Sequence, residues 1–384
     1  NPIIISGGGV FYSDAMEELS NFAIKHNIPV TQTVMGYSTM KRDHSHYAGQ
    51  IGALGGKNTN LIAKQTDLAI AIGTKLGDFT TGSWANFENE NFKLVSINVS
   101  RFDANKHLAQ AIVGDAKISL KDLSNALGEW KVGEEWNKKS QIELAAWNEH
   151  IDKESAPSNQ EIPSYVQVIG AIYKNSEPSD IAVTAAGGLV GEVVQVWRPR
   201  ELNTHETEWG FSCMSYEISG ALGIKMANPD KEVISFVGDG SYLLNNTDIY
   251  SSVITKNKLI IIVCDNGGFA VINRLQLFKG GNEYNNLLKS SNTPGLVDVD
   301  FAKHAESMGA KSEHVNSISD LEEAFKRAKK SDVTYVISIK THAYQWLEGS
   351  AFWDSPTLEI PTTNENKEAL KLYKEGKSKQ RQGV

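Results

Sequence analysis

The 384-residue sequence predicts an α/β protein of two doubly wound parallel-sheet domains. Three observations carry that expectation. Short apolar runs alternate with amphipathic stretches from residue 3 to about 133, the pattern of parallel strands joined by crossover helices. The alternation stops over residues 136–163 and then resumes. The composition, with 40% hydrophobic and 22% charged residues and 32 glycines, is that of a soluble globular chain long enough for two or three cores.

In the first domain, taken as residues 1–135, strands are expected at 3–5, 29–31, 68–72 and 93–98. Helices are expected at 13–26, 59–64 and 116–127. Residues 136–163 read as a linker, because 136–153 is charged and helix-prone while 155–159 has a loop composition. The second domain, 164–384, should place helices at 164–174, 216–226 and 246–255 around strands at 181–184, 233–237 and 259–264. A long irregular stretch follows, then helices at 301–308 and 318–330 and a strand at 334–339. An aromatic-rich segment, 346–353, and a polar tail from Glu375 to Arg381 close the chain; the tail reads as a solvated helix end or disordered terminus.

Composition also excludes functions. Thirty-eight basic against 46 acidic residues leave a net charge of −8, which argues against nucleic acid as a partner. No run of about 18 apolar residues suggests a membrane span. Cys213 and Cys264 lie far apart in apolar surroundings, with no metal-ligand spacing, as expected of a reducing, cytoplasmic setting. The chain starts at Asn1-Pro2 with neither an initiator Met nor a signal-peptide pattern, so a truncated or processed start is expected.

Two glycine-rich turns could carry chemistry. Ser6-Gly7-Gly8-Gly9 follows a strand and precedes a helix, but it lacks GxGxxG spacing and reads first as a tight structural turn. The stronger signal is Gly238-Asp239-Gly240-Ser241 after one buried strand and Asp265-Asn266-Gly267-Gly268 after another. The 27 residues from Asp239 to Asn266 suffice for one crossover helix and a return strand, so both turns should meet at one sheet edge. A carboxylate, an amide oxygen and a backbone carbonyl there could hold Mg²⁺ and leave positions open for diphosphate oxygens.

This constellation resembles the thiamine diphosphate enzymes, whose signature is GDG followed by about 26 residues and a pair ending in Asn; here Asp265 stands where the first Asn is more usual. The resemblance implies Mg²⁺ on Asp239, Asn266 and the Gly268 carbonyl. It implies cofactor contacts from Gly187, Gly188 and Leu189, read as a loop after the 181–184 strand, and from Ser212, Gly238, Gly240, Ser241, Phe269, Ala270 and Val271. Met214, 25 residues before Asp239, would be the apolar prop that bends the cofactor. The chain resembles the central and diphosphate-binding domains of the family. The pyrimidine-binding domain, which in the family supplies an activating glutamate, has no counterpart here, and no Glu of this sequence is assigned that role. A chain without it is expected to fold but not to turn over alone.

Longer strings, 208–217, 240–243 and 265–276, resemble the trihydroxycyclohexanedione hydrolases of inositol breakdown. That implies hydrolytic ring opening of a cyclic polyol-dione to 5-deoxy-glucuronic acid, in a homodimer or homotetramer assembled through the thiamine domains. Substrate contacts are expected from His205, Glu208, Asn273 and Arg274, with Trp346, Glu348 and Trp353 on a closing lid. An acetohydroxyacid synthase-like or 2-oxoacid decarboxylase enzyme, or a non-catalytic cofactor-binding fragment, are the alternatives. An NAD-dependent deacylase would need a four-cysteine zinc pattern that is absent.

Overall fold

The computed structural model describes residues 1–158, 160–349 and 351–381. The loop reading at Asn159, Ser350 within the aromatic-rich segment, and residues 382–384 lie outside the described residues. Two six-stranded, all-parallel sheets form the frame. The first contains β1 (Pro2–Ser6), β2 (Val30–Gln32), β3 (Tyr47–Gln50), β4 (Leu68–Ile72), β5 (Lys93–Asn98) and β6 (Gln110–Val113), in the order β3-β2-β1-β4-β5-β6. The second contains β7 (Ile181–Thr184), β8 (His205–Thr207), β9 (Val233–Gly238), β10 (Ile260–Asp265), β11 (Lys311–Val315) and β12 (Tyr335–Lys340), in the order β11-β12-β10-β9-β7-β8.

Helices cover both faces of each sheet, so interior strands are apolar on both sides. In β10, Ile260, Ile262 and Cys264 join the core beneath helices Tyr165–Asn175, Gly187–Val196 and Ile318–Lys329. Ile261 and Val263 enter the opposite core, with Ile218, Tyr242 and Phe301. The period-two alternation of a strand is therefore hidden inside a continuous apolar run.

The stretch read as a linker carries a 21-residue helix, Glu134–Glu154. Its indole Trp136 donates to the Pro2 carbonyl at 2.7 Å, and Leu144 packs in a first-sheet core. Ile151, farther along the same helix, belongs to the second-sheet core. Val34 and Tyr37 pack with Val190 and Val194 across the same junction. These contacts close the space between the sheets and set the walls of the cavities described below.

Three expectations change. The irregular stretch after β10 contains the helix Ala270–Phe278. The Gly187-Gly188-Leu189 loop is instead the first turn of the helix Gly187–Val196, since only Ala185 and Ala186 separate it from β7. Cys213 is exposed in a turn rather than held in an apolar stretch; both cysteines are free. The polar tail is a largely exposed helix end, as expected, closing the helix Asn364–Ser378, and beyond that its last described residues dock on the first domain: Gln380 donates to the Ser83 carbonyl (2.7 Å) and Arg381 to the Asn89 carbonyl (3.0 Å). The Ser6–Gly9 turn packs backbone to backbone, because a Cβ on Gly7 would stand 2.4 Å from the Gly73 carbonyl oxygen. Among the described residues, no helix is long and apolar enough to cross a membrane.

Candidate active site

Strands β9 and β10 pair in parallel with Gly238 opposite Cys264, so Asp239 and Asn266 leave the sheet side by side at its C-terminal edge. Asp239 opens the short helix Asp239–Leu244 and is buried. Its Oδ2 accepts the Gly268 N–H at 2.7 Å, which ties the two turns together. Burial, and next the charge of Asp265, push the Asp239 carboxyl well above the usual carboxylate range.

The second turn is shaped by glycine. Gly267 and Gly268 have φ of +77° and +140°, and a Cβ on Gly268 would stand 2.5 Å from the Asn286 carbonyl oxygen. Asp265, at the unusual position of the motif, is engaged elsewhere: its Oδ1 accepts from the Gly267 N–H (3.0 Å) and its Oδ2 pairs with Lys340 (2.6 Å). The amide nitrogen of Asn266 donates to the Tyr165 hydroxyl, and its Oδ1 is buried with no partner. An orphaned amide oxygen next to a buried carboxylate fits a hard divalent cation, which would satisfy the one and neutralise the other. Among the described residues, no group of three or more His, Cys, Asp and Glu side chains is gathered where it could hold a metal, so such a site must draw on amide and carbonyl oxygens.

Met214 sits above the first turn. A Cβ on Gly240 would meet the Phe269 ring at 2.7 Å and the Met214 methyl at 3.5 Å, so both side chains converge on Gly240. The preceding loop is strained, with Ser212 and Ser215 at φ +51° and +76°. Glu208 holds it: one carboxylate oxygen accepts the Phe211 N–H (2.8 Å), the other the Cys213 N–H (2.7 Å). Glu208 thus anchors the turn through both of its oxygens. Glu217, the last residue of the 208–217 string and assigned no role from it, is buried and accepts the Ala186 N–H at 3.3 Å, fixing the entry to the helix Gly187–Val196.

Beside these turns a cavity of 460 Å³ opens between the domains. Gly187, Gly188, Ser212 and Val271 border it, with Glu192, Arg274 and Phe79 on its walls. Leu347, Gly349, Ala351, Phe352 and Trp353 line one side of it. Trp346 stacks on the Arg274 guanidinium (5.1 Å) and meets Tyr165 edge-on (5.5 Å), while Trp353 packs on Phe79 (5.2 Å). Asn273 is turned away, donating to Glu283 at 3.1 Å. Glu192 escaped the sequence reading, although a carboxylate inside the apolar run 189–196 was a visible signal.

His205 does not join this group. It lines a separate 350 Å³ cavity, edge-on to Tyr37 at 5.2 Å, with Nε2 buried and unpartnered. Burial depresses its pKa to about 3. A base depressed in the folded state stays neutral while the unfolded chain takes up a proton, so stability is lost as pH falls from about 6.5 towards 3. Between pH 7 and 5, wild type should lose about 2 kcal/mol more than His205→Gln in urea denaturation. Parallel pH curves for the two proteins would remove His205 as a buried neutral base.

Residues 1–123 match the family model described as the thiamine pyrophosphate enzyme central domain, and 185–339 that of the C-terminal TPP binding domain. Among curated proteins, the chain is 35% identical over 382 residues to the 3D-(3,5/4)-trihydroxycyclohexane-1,2-dione hydrolase of Clostridium tetani, covering 92% of this chain and 59% of that protein. It is 34% identical over 394 residues to the Geobacillus thermodenitrificans protein of the same name, covering 94% and 61% respectively. The chain therefore spans about three fifths of the length of these relatives.

Proposed function

Because the chain belongs to the thiamine pyrophosphate enzymes, we propose that it binds thiamine diphosphate through Mg²⁺ and serves the hydrolytic ring opening of 3D-(3,5/4)-trihydroxycyclohexane-1,2-dione to 5-deoxy-glucuronic acid. The observation that carries the cofactor reading is the juxtaposed pair of Asp239 and Asn266, with the orphaned Asn266 oxygen beside a buried carboxylate. The substrate reading is supported by the names of the relatives and by the length over which they match.

In this reading Asp239, Asn266 Oδ1 and the Gly268 carbonyl hold the cation, and the turns at 187–188, 212–214 and 240–241 receive the cofactor. Thiamine diphosphate, when bound, supplies a nucleophilic carbon for cleaving the bond beside a carbonyl. The chain's own residues shape and close the site. Arg274, Glu192, Gln195 and Lys279 offer polar groups in a cavity whose other walls include Leu54, Phe79 and Trp209, which suits a compact hydroxylated ring. Leu347, Phe352 and Trp353 give the cavity an apolar side.

The test is turnover by the full-length protein with Mg²⁺ and thiamine diphosphate, following 5-deoxy-glucuronic acid by NMR. The dione should be consumed and pyruvate left untouched; the reverse would point to an oxoacid enzyme. Met214→Ala should lower kcat more than it lowers cofactor affinity, since the side chain shapes the site above Gly240 without touching the metal set. A fall in thermal stability alone, at unchanged rate per folded molecule, would make Met214 a packing residue.

A further inference from the structure

The helix Gly187–Val196 is apolar except for Glu192 and Gln195, and Glu192 is only 3% exposed. Both of its carboxylate oxygens lie near one donor, the Leu347 N–H, at 3.1 and 3.4 Å. The charged and titratable groups facing it are Arg274 from the helix Ala270–Phe278 and Tyr165 from the helix Tyr165–Asn175, with Lys279 and Tyr373 farther along the cavity. Arg274 is turned to the Leu347 carbonyl (3.3 Å) and the Trp346 ring, and among the described residues no ion pair within 4 Å joins it to Glu192. Burial lifts the Glu192 carboxyl to about 7, against the smaller opposing pulls of the Leu347 N–H and of Arg274. This acid borders the same cavity as Gly188, Ser212 and Val271, at the sides assigned to the cofactor.

We propose that Glu192 is the proton-transfer group of the ring opening, giving a proton to the carbon that keeps the electron pair when the bond between the two carbonyls breaks. The inference rests on the dione hydrolase reading above. The electron pair of that bond stays on the carbonyl carbon that thiamine diphosphate would activate, which takes the Glu192 proton and becomes the aldehyde. Water adds its hydroxyl to the other carbonyl carbon, giving the carboxylic acid, and its remaining proton restores Glu192. One water is consumed and the acid is regenerated. The Leu347 N–H holds the carboxyl in place, so the seating of residues 346–349 positions the proton-transfer group.

The experiment compares wild type with Glu192→Gln and Glu192→Asp in the full-length protein. Gln keeps the size and can still accept from Leu347, so the segment stays seated. With Gln, thiamine diphosphate affinity by calorimetry should hold within about threefold. Meanwhile kcat should fall by about 10²–10⁴-fold. Donation needs the protonated form, so wild-type kcat should decline as pH rises through about 7. That limb should vanish in Gln and return, at a lower rate, in Asp. A Gln variant with kcat near wild type, or with the limb intact, overturns the proposal. A readout without turnover is the infrared signal of protonated buried carboxyls at pH 6, from which the Gln variant should lack one component beside those of Asp239 and Glu217; identical spectra for wild type and Gln also overturn the proposal. If that component is present but wild type does not open the dione, the substrate reading has failed, and the assignment of Glu192 to this reaction goes with it.

Discussion

Asp239→Ala should reduce Mg²⁺-dependent binding of thiamine diphosphate by about a hundredfold or more, measured by calorimetry on the full-length protein. The diphosphate carries several negative charges, and Asp239 is the buried carboxylate that would offset the cation bridging them. Removal also frees the Gly268 N–H, whose 2.7 Å bond to Asp239 holds the second turn against the first. Asp239→Asn separates the two effects, because it keeps an acceptor for Gly268 and loses only the charge. Asp265→Asn should cost less, since that side chain is tied to Lys340 and to the Gly267 N–H. Binding by Asp239→Ala within about threefold of wild type, with unchanged Mg²⁺ dependence, would remove the metal assignment.

The second large effect is expected from one methyl group. In Gly188→Ala, the new Cβ would stand 2.0 Å from Trp346 Cζ3 and 2.6 Å from Cη2, distances that no packed pair tolerates. The indole cannot easily yield, being held by the Arg274 guanidinium at 5.1 Å and Tyr165 at 5.5 Å. The segment 346–353 should lift off the cavity, at a cost of about 1–3 kcal/mol in stability. Limited proteolysis should then cut within this segment, and Trp346→Ala in the same chain should restore resistance by removing the clash. Wild-type melting and wild-type cleavage in Gly188→Ala would show that the helix start, not the segment, absorbs the methyl.

Much of the frame and the metal turns could be read from local pattern. β1, β4, β5, β7, β9, β10 and β12 are visible as apolar runs because parallel strands inside a sheet are buried on both faces. The two acidic turns were legible for the same reason: each follows such a strand, and adjacent parallel strands deliver their C-terminal turns to one edge.

The strands that escaped the pattern are β3, β6, β8 and β11, and they are the four sheet edges. An edge strand is short or has a polar side, as in His205–Thr207 and Lys311–Val315, and β3 is further broken by Gly49 at φ +95° and a register shift against β2. Their apolar periodicity is too brief to stand out from a loop. The helix at Gly187 was masked by its glycines, and the docked tail by its charge.

The remainder belongs to contacts between residues far apart in the chain. Glu192 meets Leu347 across 155 positions, and Asn266 meets Tyr165 across 101. His205, grouped with the substrate residues by its position in the sequence, faces another cavity because β8 runs along the opposite edge of the sheet from β11. Local composition records whether a residue is buried, since burial selects apolar side chains over short spans. Which buried polar groups face each other depends on how helices and strands pack, and that geometry leaves no periodic trace in the order of the amino acids.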